Sequence, residues 1–261
     1  MKYKLALVFT PLIFISLMLL GLIYFRLYSP VDFHKIGTTP PTHELWDALL
    51  KDFVQNGHVN YIRLHENSEQ LNIYLSRLKE HSPSSDWSKE ESLAYWINAY
   101  NAFTLKIILD NYPVESIKDI GSNIQIPLIN STWDIPFIKI GDKELTLNDI
   151  EHRILRKDFN EPKIHFAIVC ASVSCPSLRS EAYTAGKIDK QLNEQALAFI
   201  NDKSKNQIAT NQVKISKIFS WFEGDFTKEG NLIDFLNQYS KVKINKAAEI
   251  SYMDYNWSLN N

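Results

Sequence analysis

The stretch SKEESLAYWINAYNAFTLKIILDNYP, residues 88–113, decides the fold. Ser88 and Glu91 have the spacing of a capping box, and Pro113 closes the run. Between them Leu93, Trp96, Ile97, Tyr100, Phe103 and Ile107 recur at steps of three and four residues. The stretch is apolar nearly all round, which predicts a helix buried at the centre of a domain. Asn98 and Asn101 share one face of that helix. Buried amides must be hydrogen-bonded, so both are candidate site residues or ties for loop backbone.

Downstream of this helix, IPFIKIGDKELTL reads as a hairpin turning at Gly141-Asp142, and TLNDIEHRILRKDF as a helix capped by Thr146. KIHFAIVC, residues 163–170, is apolar and β-branched without alternation, which predicts a strand buried on both faces. TAGKIDKQLNEQALAFIND follows as an amphipathic helix and NQIATNQVKIS as a hairpin. IFSWFEGDF and NLIDFLNQYS read as short helices, and AEISYMDYNWSLN as a terminal strand. Upstream, THELWDALLKDFVQNG is a helix with Thr42 as its N-cap and Gly57 as its stop. Another helix is expected over about 67–81. Helices come early and strands late, which is an α+β layout, with the central helix packed on a mainly antiparallel sheet.

The chain has 261 residues, 45% of them hydrophobic and only 8 glycines, a globular composition with room for a large core. Residues 5–25 are 21 residues without a charge, long enough to span a bilayer as a helix. Lys2 and Lys4 precede the run and Arg26 follows it, which places the N-terminus inside and the remainder on the extracytoplasmic, periplasmic side. The alternative is a signal peptide, but YFRLYSP offers no small-x-small cleavage site. The expected organisation is an anchor over 1–26, a proline-bearing linker over 27–42 and a globular domain over 43–261. Residues 1–30 hold three of the 28 bases and none of the 30 acids, so the domain is more acidic than the whole chain at −2. A nucleic-acid partner is therefore not expected. The expected partners are the membrane and an unidentified small-molecule or peptide substrate.

Both cysteines, Cys170 and Cys175, lie in KIHFAIVCASVSCPSLR, residues 163–179. Three readings are open. Structural zinc requires about four ligands, and C-x-x-x-x-C has no second pair, so neither metal nor cofactor is expected. A disulfide suits an exported domain but closes a very small loop. A cysteine nucleophile requires a base and a group that orients the base. Five of the seven histidines precede residue 82, which leaves His152 and His165 near the cysteines. His152 follows Glu151, and one step of an α-helix turns about 100°, so one of the pair can face the thiol while the other braces the site. Cys170 as nucleophile, His152 as base, and Glu151, Asn98 and Asn101 as orienting or oxyanion groups make the candidate site. His165, among apolar neighbours, reads as a core histidine, and with Cys175 and Arg179 it forms a secondary set.

Four blocks in order resemble the domain of unknown function 547 family: AYWINAYNAFTLKIILDNYP, LTLNDIEHRILR, KIHFAIVCASVSCPSLRSEAYT and ISYMDYNWSLN. The resemblance runs from about residue 57 to 261 and covers Trp96, Asn98, Tyr100, Asn101, Glu151, His152, Arg156, His165, Phe166, Cys170, Pro176 and Arg179. Ala171 stands where the family usually has Gly, and Tyr95 where it usually has Phe. The resemblance implies that Cys170, more than Cys175, is the chemical residue. A papain-like or transglutaminase-like fold is the expectation attached to it. The activity expected is acyl transfer or hydrolysis on an amide, peptide or thioester. A non-catalytic interaction domain at the membrane surface and a thiol-redox protein are the rivals.

Overall fold

The computed structural model describes residues 38–126 and 129–261, with Leu17, Met18, Gly21, Tyr24, residues 29–31 and Phe33. Most of the expected anchor, residues 5–25, lies outside the described residues, though Leu17, Met18, Gly21 and Tyr24 are helical. Among the described residues no helix is long and apolar enough to cross a membrane.

The architecture is mixed α+β. In chain order come α1 (Glu44–Phe53), β1 (Val54–Gln55), β2 (His58–Val59), α2 (Tyr61–Glu66), α3 (Glu69–Glu80) and α4 (Lys89–Asp110). After a long loop follow β3 (Ile138–Ile140), β4 (Lys143–Leu145), a π-helix (Asp149–Leu155) and α5 (Arg156–Asp158). The last part holds α6 (Ile188–Asn201), β5 (Gln207–Ile208), β6 (Gln212–Ile215), α7 (Ile218–Trp221), α8 (Glu223–Phe226), α9 (Leu232–Tyr239) and β7 (Glu249–Tyr252).

The capping box that starts α4 forms in both directions. Ser88 Oγ accepts from Glu91 N at 3.1 Å, and Glu91 Oε2 accepts from Ser88 N at 2.7 Å. The helix is buried from Leu93 through Leu105, Asn98 and Asn101 included. The hairpin β3–β4 also forms as read, and Gly141 takes φ +58 at its turn, a conformation that favours glycine. Helix α1, by contrast, starts at Glu44, so His43 and not Thr42 is its N-cap residue, and no side chain caps it. His43 Nδ1 is instead 2.7 Å from Tyr74 Oη of α3.

Two further expectations are corrected. KIHFAIVC forms no strand: Pro162–Phe166 is a 3-10 helix, and the chain then runs irregularly to Cys170. The reason is a distant amide. Asn101 Nδ2 donates to Ala167 O at 2.9 Å, and Asn101 Oδ1 accepts from Val169 N at 2.9 Å. A side chain thereby occupies the backbone groups that a strand partner would have used. With no strand there, α4 has no sheet to lie on. It is buried by α3, the π-helix and the turn before α6. The sheets are small: β1–β2 and β3–β4 are two-stranded, and β5–β6–β7 has three strands, with β7 parallel to β6.

Apolar packing falls into a large cluster around α1 to α4 and a smaller phenylalanine cluster of Phe166, Phe199, Phe219, Phe226 and Phe235. The described residues of the 27–42 segment lie on the domain. Arg153 Nε donates to Ser29 O at 2.9 Å, and the Phe33 ring is 5.4 Å from that of Trp96.

Candidate functional site

A cavity of about 590 Å³ opens where the two clusters adjoin, and Glu151, His152, His165, Cys170 and Cys175 all line it. Its walls are largely aromatic, with Trp133, Trp221, Phe222, Tyr255 and Trp257.

Cys170 follows the stretch held by Asn101, and Ala171 after it has φ +56, in the left-handed region. That turn swings the chain into a loop that residues 256–260 hold: Val173 N donates to Ser258 O at 2.8 Å, and Asn260 N to Ala171 O at 3.2 Å. Lys205 Nζ fastens the loop from another side, donating to Cys175 O at 2.9 Å and also to Val173 O.

Three groups meet the Cys170 sulfur: Cys175 Sγ at 2.8 Å, Tyr255 Oη at 3.1 Å and Ser172 Oγ at 3.2 Å. Burial pushes the Cys170 thiol up, but hydrogen bonds from Cys175, Ser172 and Tyr255 outweigh it and bring its pKa below the ordinary value. Cys175 moves the other way. Burial and its hydrogen bond to Cys170 raise its pKa. Burial and the Cys170 charge likewise keep the Tyr255 phenol protonated. The arrangement favours the thiolate at Cys170 over one at Cys175, without an imidazole. Among the described residues no histidine is hydrogen-bonded to the Cys170 sulfur.

The histidines belong to a separate polar chain on the cavity wall. Asp225 Oδ2 accepts from Arg156 Nε at 2.6 Å and from His165 Nε2 at 2.8 Å. Burial opposes the Asp225 charge, yet these donors hold its carboxyl well below the usual range. Arg156 reaches on to His152 Nδ1 at 2.8 Å. Because a guanidinium only donates, His152 Nδ1 is an acceptor and its proton sits on Nε2. Burial and the Arg156 charge lower its pKa and keep it neutral, against the pull of Glu151. His165 is fully buried and stacks on Phe222, with ring centroids 3.9 Å apart. Its Nδ1 has no hydrogen-bond partner and lies 4.0 Å from Glu151 Oε1. Glu151 Oε2 accepts from Tyr100 Oη at 3.2 Å.

Glu151 and His152 both line the cavity because their turn is wound as a π-helix, wider than the α-helix the sequence predicts. Asn98 and Asn101 are placed differently. Asn98 Nδ2 donates to Tyr183 O at 2.7 Å, and Asn98 Oδ1 accepts from Tyr183 N at 3.0 Å. Both amides are committed to backbone, and neither residue lines the cavity. Arg179 also lies off the cavity, paired with Glu181 at 2.7 Å and Glu194 at 2.6 Å. Sequence reasoning missed Ser172, Lys205, Asp225 and Tyr255. Asp225 and Tyr255 lie 60 and 85 residues from their partners, so no local spacing marks them. Among the described residues no group of three or more His, Cys, Asp or Glu side chains could hold a metal ion.

Fold and site define an α+β protein with a two-cysteine centre in an aromatic-walled cavity. A family model described as "Protein of unknown function, DUF547" matches residues 84–200, so this part of the chain is similar to that family. Neither a curated protein nor a solved structure matches the chain. The matched region carries α4, the π-helix and both cysteines, while Asp225, Tyr255 and the tryptophans Trp221 and Trp257 lie beyond it.

Proposed function

We propose that this chain is a thiol-dependent hydrolase or acyl transferase in which Cys170 attacks the carbonyl of an amide, peptide or thioester. The observation that carries the reading is the ring of hydrogen-bonding groups around the Cys170 sulfur, which together lower its pKa, inside an aromatic cavity. A thiolate held in this way attacks without a base, so the roles differ from a cysteine–histidine pair. The sulfur bonds to the carbonyl carbon, and the oxygen takes the negative charge. His152, a donor through Nε2–H, stabilises that oxyanion. The leaving group then departs and leaves an acyl-enzyme, which water or another acceptor opens. A thioester sulfur leaves unprotonated, while an amide nitrogen requires a proton, which the Cys175 thiol or the Tyr255 phenol beside the sulfur gives up and regains from the water that opens the acyl-enzyme. Asn98 and Asn101 act as positioning residues that hold the site's backbone.

Attachment to a membrane through residues 5–25, with the domain on the extracytoplasmic side, belongs to the same proposal and rests on the uncharged run and its flanking lysines. Kinship with papain-like or transglutaminase-like folds also stays within it, supported by the meeting of a thiol, imidazoles and a carboxylate in one cleft.

The test is a panel of aryl thioesters and peptide anilides offered to the detergent-extracted full chain, with intact-mass detection of the acyl-enzyme. One acyl group on Cys170, absent in Cys170→Ser and present in Cys175→Ser, is expected. No adduct with any acyl donor, together with equal alkylation of both thiols from about pH 5 to 9, would sink the reading. A second reading is a dithiol redox centre, favoured by the contact between the two sulfurs and their opposite pKa shifts. It predicts a reversible two-electron couple and no acyl adduct.

A further inference from the structure

The cavity carries a cation that the thiol chemistry does not use. Lys118 lines it, and its Nζ lies over the Trp257 ring, 5.2 Å from the centroid. Among the described residues it has no carboxylate within ion-pair distance, although other lysines such as Lys51 and Lys106 are paired. Nor is Lys118 on a loose loop. It sits in a 3-10 turn, Ile117–Asp119, closed by a capping box between Ser116 and Asp119. Gln125 Nε2 donates to Lys118 O and to Ile120 O, each at 2.8 Å. Leu259 N donates to Glu115 O at 2.9 Å, which ties this turn to the segment that bears Trp257.

The order of contacts gives the cavity a direction. Tyr255 Oη touches the Cys170 sulfur, the Tyr255 ring lies 4.5 Å from that of Trp257, and Lys118 lies over Trp257. Reactive sulfur and ammonium are thus each in contact with one ring of an adjoining aromatic pair, the two rings tilted 47° to each other. Trp221 adjoins the pair, its ring 4.8 Å from Tyr255 and 5.8 Å from Trp257.

We infer that Lys118 anchors an anionic end group, a carboxylate above all, on a ligand whose flat or apolar body lies along Trp257 and Tyr255 and whose carbonyl lies at Cys170. The inference deepens the acyl-transfer reading and rests on it for the position of the carbonyl. The substrates it selects are acyl compounds or short peptides with a free carboxylate about two ring-widths from the scissile bond. A neutral apolar ligand leaves Lys118 unused. A cationic ligand is repelled by Lys118, which already holds the Trp257 face.

The test reads binding, not turnover, so it survives failure of the thiol chemistry. The detergent-extracted full chain and its Cys170→Ser variant are titrated by calorimetry with hydrocinnamate, hydrocinnamamide and phenethyl phosphate. Hydrocinnamate is expected to bind about fivefold tighter than its amide, the ratio of a modest ion pair, and the preference shrinks with added salt. Lys118→Glu removes or reverses the preference, while Trp257→Ala weakens acid and amide alike. A phosphate that binds as well as the carboxylate assigns the anchor to anions in general; a weaker phosphate assigns it to carboxylates. Equal affinity for acid and amide, or a preference that persists in Lys118→Glu, overturns the inference.

Discussion

Nη1 of Arg156 lies 2.8 Å from Nδ1 of His152, so the guanidinium decides which nitrogen of the imidazole carries the proton. A histidine poised as a general base toward the cavity would have its lone pair on Nε2, and this one has its proton there. Nitrogen-15 NMR of the protein at neutral pH is expected to find Nδ1 unprotonated and Nε2 protonated. Arg156→Met releases the constraint: the tautomers mix, and the His152 titration midpoint rises toward that of an ordinary histidine. A proton on Nδ1 in the unaltered chain would falsify the assignment.

Asn101 makes two hydrogen bonds from a fully buried position to the stretch just before Cys170. Asn101→Ala leaves Ala167 O and Val169 N without partners, at about 1–3 kcal/mol for each group. Urea unfolding is expected to show a loss of about 2–5 kcal/mol and faster hydrogen exchange at Val169. A loss under about 1 kcal/mol means that water replaces the amide and the tie is dispensable.

Ala171 holds φ +56, where an L-residue with a Cβ is strained by about 1–2 kcal/mol. Glycine removes that strain but gives the unfolded chain more freedom, worth about 0.4–1 kcal/mol. Ala171→Gly is therefore expected to stabilise by up to about 1 kcal/mol in thermal unfolding. A clear drop in melting temperature would show that the methyl group contributes packing worth more than the strain.

His43 is held down to a pKa of about 4 by burial beside Tyr74. Between about pH 6.5 and 4 the unfolded chain binds a proton at this residue and the folded chain does not, so stability falls as pH falls through that window. The contribution is full above the unfolded value and of order 3 kcal/mol. The slope of urea midpoint against pH is expected to flatten in His43→Gln over the same window. An unchanged slope would assign the acid sensitivity to other groups.

Local signals in the sequence were reliable where the structure satisfies itself locally. Ser88 and Glu91 cap each other, and Gly141 turns a hairpin between adjacent strands, so a few residues suffice to read them. KIHFAIVC failed because an apolar run says only that it is buried. What holds it is the amide of Asn101, more than 60 residues earlier. The candidate site divides the same way. Cys170, His152 and Glu151 are legible by residue type and do share a cavity, yet Tyr255 beside Cys170 and Arg156 beside His152, which residue type does not mark, act on the protonation of those two. The wider π-turn that brings Glu151 and His152 to one wall has no signature in the local sequence pattern.

The phenol that meets the Cys170 sulfur lies 85 residues further along the chain. Translation at about 5–20 residues per second separates the two by several seconds. During that interval the nascent polypeptide carries the loop of both cysteines without Tyr255 and without the segment 256–260 that holds the loop in place. Until residue 255 docks, Cys170 therefore lacks one of the three side-chain hydrogen bonds that depress its pKa. The order of synthesis thus leaves the surroundings of the sulfur to be completed last.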